Sequence, residues 1–310
     1  MPTPDPILLE IIKSQLTAVA DEMGAALGRT GYSPNIKERR DYSCAVFDAT
    51  GDMVAQAAHI PVHLGAMPLS VRASLDRFGS LADGDIVVLN DPYAGGSHLP
   101  DITMISPVFW ENQLLGYVAS RAHHADVGGI SPGSMPLARE LFQEGLIIPP
   151  VMLQQRGEIN QAVLDLISRN SRTPGERLGD LSAQIAAQRV GERRLQALAQ
   201  RHGYEAVASY MAHLQNYAER MVRDLICQMP PGEYQFEDYL DDDGFGHSDL
   251  AIRVKITVGS GQLEVDFSDT APRTEGGDNA VRAVTLSAVF YVIRCLLDDD
   301  LVPTNAGIFR

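Results

Sequence analysis

Apolar residues recur at helical spacing near the start of the chain: Leu8, Ile12, Val19, Met23 and Leu27 share one face. Asp5 stands before them as an N-cap with Pro6 at the first helical position, so a helix is predicted over residues 6–28. Residues 42–47 and 53–56 flank the polar turn Asp48-Ala49-Thr50-Gly51-Asp52, the pattern of a β-hairpin. A helix is predicted over 67–78. A short buried strand follows at Ile86-Val87-Val88-Leu89, ending at Asn90-Asp91-Pro92. Residues 105–109 and 114–120 form a second hairpin-like pair around Glu111-Asn112-Gln113.

The middle of the chain changes character. Thr173-Pro174-Gly175-Glu176 has capping-box spacing with Pro at the first helical position, and a long helix is predicted from there to His202-Gly203. A second runs from Tyr204 to Met229 with the stripe Val207, Met211, Leu214, Ala218, Met221 and Leu225, and Pro230-Pro231-Gly232 stops it. The two are expected to form an antiparallel hairpin, with both stripes serving as core. Beyond Gly232 the period shortens to two. Ile252, Val254, Ile256 and Val258 alternate with Arg253, Lys255 and Thr257, as in a half-buried strand, and a helix is predicted over 279–297. The fold class read from this order is α/β of mixed α+β type, a mixed-sheet core with a long antiparallel helical hairpin. Three regions are expected: 1–172 as an α/β body, 173–231 as the hairpin, and 232–310 as a strand-rich region with a closing helix.

Composition narrows the partners. Of 310 residues, 40 are Asp or Glu and 25 are Lys or Arg, a formal charge of −15. Such a balance repels phosphate backbones and anionic lipid, which argues against nucleic acid and membrane surfaces. The cysteines, Cys44, Cys227 and Cys295, are three in number and form no CxxC pair, which fits reduced thiols and a cytoplasmic protein. No signal peptide and no membrane-spanning apolar run is visible. Phosphate-binding GxxxxGK[ST] and GxGxxG signatures are both missing, so any ATP used is expected to bind another chain.

Candidate chemistry concentrates where histidines do. His98 and Asp101 lie three apart in the loop Ala94-Gly95-Gly96-Ser97-His98-Leu99-Pro100-Asp101; His123, His124 and Asp126 precede Gly128-Gly129. Strand ends that open into glycine loops let polar side chains converge on a rigid scaffold. Two imidazoles and a carboxylate suit Mn, Fe or Zn and leave positions open, so His98, Asp101 and His123 are the candidate ligands. The competing reading is a cluster of hydrogen-bonded structural histidines. Strand alternation sends His124 away from His123, leaving His124 or Asp126 as an outer partner or proton carrier. His59 and His63 are four apart but separated by Pro61; each is a pocket-lining or a structural candidate. Glu38 and Arg39 are either solvated charges or a catalytic base and an anion clamp.

Five stretches carry a resemblance: residues 36–67 (IKERRDYSCAVFDATGDMVAQAAHIPVHLGAM), 90–109 (NDPYAGGSHLPDITMISPVF), 120–136 (SRAHHADVGGISPGSMP), 179–187 (GDLSAQIAA) and 302–310 (VPTNAGIFR). Over essentially its whole length the chain resembles the hydantoinase B/oxoprolinase family, which includes N-methylhydantoinase B subunits, the C-terminal half of 5-oxoprolinase and subunits of acetone and acetophenone carboxylases. The resemblance implies a cytoplasmic subunit of a hetero-oligomer whose A-type partner, of actin-like ATPase fold, binds ATP and Mg and phosphorylates the carbonyl oxygen of a cyclic amide. Water then attacks at a metal centre in the B-type subunit. It places the ligands at His98, Asp101 and His123, and a pocket-lining acid at Glu38. It also leaves room for a carboxylase role or a non-catalytic assembly role. The family's DFSGT is here Asp266-Phe267-Ser268-Asp269-Thr270, a departure placed near substrate choice or interface packing. Family members extend beyond residue 310, so the chain is expected to be shorter than its relatives.

Overall fold

The computed structural model describes residues 4–58, 60–297 and 302–310. In chain order the elements are α1 (Pro6–Thr30), α2 (Pro34–Lys37), β1 (Tyr42–Asp48), β2 (Met53–Ala58), α3 (His63–Phe78), β3 (Ile86–Leu89), β4 (Asp101–Trp110), β5 (Gln113–His123), α4 (Leu141–Glu144), β6 (Val151–Gln155), β7 (Glu158–Ile159), α5 (Gln161–Arg169), α6 (Pro174–His202), α7 (Tyr204–Gln228), β8 (Gly232–Asp242), β9 (Ser248–Gly259), β10 (Gln262–Asp266) and α8 (Arg282–Leu296). Seven strands form one sheet in the order β2-β1-β5-β4-β3-β6-β7, and β10-β9-β8 form a second.

The α/β class is as expected, but the main sheet is antiparallel at each of these pairings where a mixed sheet was read from the sequence. The reason lies in the connections. β1–β2 and β4–β5 are joined by tight turns, which can link only antiparallel neighbours. Asp48 holds the first turn, its Oδ1 accepting the amides of Thr50 (2.9 Å) and Asp52 (3.0 Å) around Gly51. Glu111 and Asn112 make the second with φ of 48° and 66°, the left-handed pair that a two-residue hairpin needs.

The sheet is covered on both faces. Cys44, Val46, Val118 and Ala122 meet Leu16, Met23, Ala183 and Ala187 of α1 and α6. Ala45, Phe47, Ile105 and Ala119 meet Met67 and Val71 of α3. α1 begins as predicted, with Asp5 accepting the Ile7 amide at 2.9 Å. α6 also starts at Pro174 after Thr173 as predicted, but without the capping box: Thr173 makes no side-chain cap, and Glu176 lies 3.5 Å from the buried Arg177 guanidinium. The first half of α7 (Val207, Met211, Leu214) shares the core of α1 and α6. Its second half (Ala218, Val222, Ile226) packs with Val258, Val302 and Ile308 instead. β8 is exposed along its whole length. Among the described residues no helix is long and apolar enough to cross a membrane.

Candidate metal centre

The site grows from the register of one hairpin. Asp101 opens β4 and His123 closes β5, and they stand directly opposite each other. Opposed residues of an antiparallel pair share a face, with Cβ atoms about 5 Å apart. His98 comes from the glycine loop before β4, and its ring lies 5.0 Å from that of His123, at 61°. The loop folds tightly. Gly95 has φ of +89°, and a Cβ there would come within 2.3 Å of the Ser70 backbone nitrogen, so only glycine lets the loop close on α3. One ligand atom from each of His98, Asp101 and His123 lies within 4.8 Å of the others.

Charge is arranged around the carboxylate. Asp101 is 1% exposed and His123 8%. The His98 side chain is less enclosed, so the cluster is more open on its side. His98 Nε2 is 3.1 Å from Asp101 Oδ1, yet that buried oxygen has no hydrogen-bond partner. Ser97 Oγ donates to Oδ2. Burial works against both charges, but the Asp101 carboxylate leaves His98 above its ordinary imidazole value. Burial likewise opposes ionised Asp101, but His98 and His63 hold it well below the usual carboxylate range. Burial, with the His98 charge, depresses His123 against the pull of Asp101. Of the two rings, His98 is thus the more basic and His123 the less. Two nitrogens and an unsatisfied buried carboxylate oxygen are a donor set for a borderline divalent cation.

The remaining expected residues separate into two groups. His63, expected at the substrate, is fully buried at the start of α3 with Nε2 3.4 Å from Asp101 Oδ2. Glu38 and Arg39 are exposed on the turn between α2 and β1; Asp41 of that segment accepts the His123 amide at 2.9 Å. His124 turns to the opposite sheet face, where its Nε2 meets Gln184 Oε1 at 2.9 Å. Burial, reinforced by Arg177, holds its ring well below the ordinary imidazole value. Asp126 accepts from the Gly128 amide (2.9 Å) and the Arg172 guanidinium (3.0 Å), away from the triad. His59 lies outside the described residues. A cavity of about 930 Å³ sits beyond the Gly95 loop, lined by Arg72, Tyr93, Ile252 and Arg273, and no triad side chain lines it.

Three supporting residues were not singled out from the sequence. Asn35 on α2 reaches His123 Nδ1 at 2.9 Å. α2 is itself anchored by Asp180 of α6, which accepts the amides of Tyr32 (2.8 Å) and Ser33 (3.0 Å). Arg121 lies fully buried on the site's face, donating to Thr103 Oγ1 (2.7 Å), Ser70 Oγ (2.7 Å) and the Gly95 carbonyl (3.0 Å). Burial pulls its guanidinium down to about 10, against the charge of Asp101. A charged residue inside the apolar run of β5 was a signal for Arg121; Asn35 carried none.

The family pattern described as hydantoinase B/oxoprolinase matches residues 5–310. The chain belongs to the hydantoinase B/oxoprolinase family. It is 39% identical to 5-oxoprolinase 1 of Arabidopsis thaliana over 98% of its own length and 26% of that protein's. It is 34% identical to a putative D-/L-hydantoinase B-type polypeptide of a Pseudomonas species, over 99% of this chain and 55% of the relative. The crystal structure of an ATP-dependent caprolactamase from Pseudomonas jessenii superposes with a TM-score of 0.92 at 32% identity, covering 99% of this chain and 53% of the other. The hydantoinase B-like chain thus spans about half the length of that Pseudomonas polypeptide and about a quarter of the oxoprolinase.

Proposed function

We infer that the chain is the B-type part of an ATP-dependent cyclic-amide hydrolase, holding a divalent cation on His98, Asp101 and His123. The observation that carries this reading is the opposition of Asp101 and His123 across β4–β5, with His98 brought to within 4.8 Å of both. The residues fit Mn, Fe or Zn: two imidazoles, a carboxylate oxygen left without a hydrogen bond, and a more open side at His98. Such a cation, when bound, supplies Lewis acidity towards a carbonyl or a water. The chain's own groups do the rest. Asn35 fixes the ring plane of His123, Ser97 fixes Asp101, and the buried Arg121 keeps the floor of the site electropositive. Exposed Glu38 and Arg39 take the roles of proton acceptor and anion clamp at the rim. His124 and Asp126 belong to the scaffold, because His124 turns to the opposite sheet face, where Nε2 meets Gln184, and Asp126 is engaged by the Gly128 and Arg172 contacts. The partner is an A-type ATPase subunit that activates the lactam carbonyl with ATP and Mg, as the names of the hydantoinase relative and the ATP-dependent caprolactamase suggest.

The test pairs metal content with turnover. The chain, co-purified with an A-type subunit, is expected to carry one equivalent of Mn, Fe or Zn by elemental analysis. It is also expected to hydrolyse ATP faster when hydantoin, 5-oxoproline or caprolactam is added. The His98→Ala/His123→Ala double variant is expected to lose both. Full activity in that variant would leave only an assembly role. Bicarbonate-dependent consumption of a ketone, without lactam stimulation, would replace hydrolysis by carboxylation.

A further inference from the structure

One buried imidazole beside the triad is not a ligand candidate by geometry. His63 opens α3, is fully buried, and has Nδ1 2.8 Å from Ser43 Oγ. Its Nε2 makes no hydrogen bond and lies 3.4 Å from Asp101 Oδ2. It falls outside the group of ligand atoms that lie within 4.8 Å of one another. The two oxygens of Asp101 are therefore used differently. Oδ1 faces His98 Nε2 with no hydrogen bond, whereas Oδ2 takes the Ser97 hydroxyl and faces His63.

We propose that His63 is a positioning residue that presents Nε2–H to Asp101 Oδ2 and so restricts the carboxylate to offering Oδ1 alone to the cation. A ring nitrogen turned towards a carboxylate oxygen is favoured as N–H, and Nδ1 then accepts the Ser43 hydroxyl. The Ser97 hydroxyl bonded to Oδ2 and the Nε2–H turned towards it from 3.4 Å together oppose rotation of the carboxylate into two-oxygen binding, which keeps a coordination position free. This inference rests on the metal reading above.

The placement of His63 is set from far along the chain. Val62 precedes α3 and supplies no side-chain cap. The vacancy is filled from α8: Ser287, 2% exposed, accepts the Gly65 amide at 2.9 Å and donates to the Val62 carbonyl at 2.5 Å. Helix contact is close, since a Cβ on Gly65 would fall 2.7 Å from the Ser287 nitrogen. An orphan amide in the first turn is satisfied by a residue 222 positions away. The first turn of α3, and with it His63, thus takes its position from α8.

Glutamine and asparagine separate the two ring nitrogens, because Gln places its amide where Nε2 lies and Asn where Nδ1 lies. The experiment uses the full chain with Co²⁺ as probe, reading affinity by chelator competition and coordination number by visible absorption. His63→Gln is expected to bind Co²⁺ within about 3-fold of the wild-type chain, and His63→Asn about 10–100-fold more weakly. The Asn variant should also absorb less intensely, as the carboxylate swings to two-oxygen binding and the coordination number rises. Ser287→Ala is expected to move both readouts in the same direction by a smaller factor. Equal affinity and spectra in the Asn variant and the wild type would overturn the proposal. So would a Gln variant as weak as the Asn one, which would make the ring itself a ligand. Absence of Co²⁺ binding by the wild-type chain would instead remove the metal reading, and this proposal with it.

Discussion

Asn35 is the residue whose removal best separates a metal site from a histidine cluster. Its carboxamide reaches His123 Nδ1 at 2.9 Å and is only partly buried. As placed, the amide nitrogen faces the ring. A half-turn of the carboxamide puts Oδ1 there, so that Nδ1–H donates and Nε2 keeps its lone pair for a cation. Truncation to Ala costs the metal-free chain one modest hydrogen bond, about 1 kcal/mol. The larger effect is on cation affinity, where loss of an outer partner typically weakens binding about 10–100-fold. At a cation concentration of about 100 times the wild-type Kd, binding stabilises the wild type by about 2.7 kcal/mol and Asn35→Ala by about 1.4 to 0.4 kcal/mol. At roughly 2 °C per kcal/mol the wild-type melting temperature should rise about 5 °C on adding Mn²⁺ or Zn²⁺, and the variant's about 1–3 °C. Asn35→Asp accepts from Nδ1–H more strongly and should match or exceed the wild-type shift. The assay is a thermal melt with and without the cation, after chelator treatment. An undiminished shift in Asn35→Ala, or a lost shift in Asn35→Asp, would refute the assignment of Nε2 as the ligand atom.

Three further outcomes follow from other parts of the fold. Burial, then Arg177, keeps His124 neutral in the folded chain, so the unfolded chain takes up its proton first as pH falls below 6.5. Stability should therefore drop through His124 by about 1.4 kcal/mol per pH unit below that value, and urea titrations of His124→Gln should lack this share of the slope. Gly116→Ala would set a Cβ 2.2 Å from the Phe47 carbonyl oxygen across β1–β5; a loss of about 3 kcal/mol in urea unfolding is expected, and a loss under 1 kcal/mol would contradict so close an approach. Cys44 is buried and burial pushes its thiol up, whereas Cys227 and Cys295 are exposed. Native labelling with a thiol reagent should modify those two and reach Cys44 only after unfolding.

Much of the fold was legible because local patterns set it. The Asp5 cap, the apolar stripes of α1 and α7 and the turns at Gly51 and Asn112 each depend on residues within a few positions of one another. His98, Asp101 and His123 were legible as candidates for the same reason, since they stand at strand ends beside glycine loops. Sequence patterns set these elements and nominated the ligands, but they did not decide which face each ligand would share. Between Val108 and Phe109 the β4–β5 register shifts by one residue: Phe109 pairs with Leu114, and Val108 with Gly116. Without that bulge Asp101 would oppose Ala122, and His123 would point to the face of α1 and α6, because a one-residue slip inverts every side chain beyond it. Asn35, Ser97 and Arg121 took their roles in the same way, and the start of α3 is capped by Ser287 across the chain. Whether two imidazoles and an acid meet depends on such register and long-range contacts, which no spacing of residues along the chain encodes.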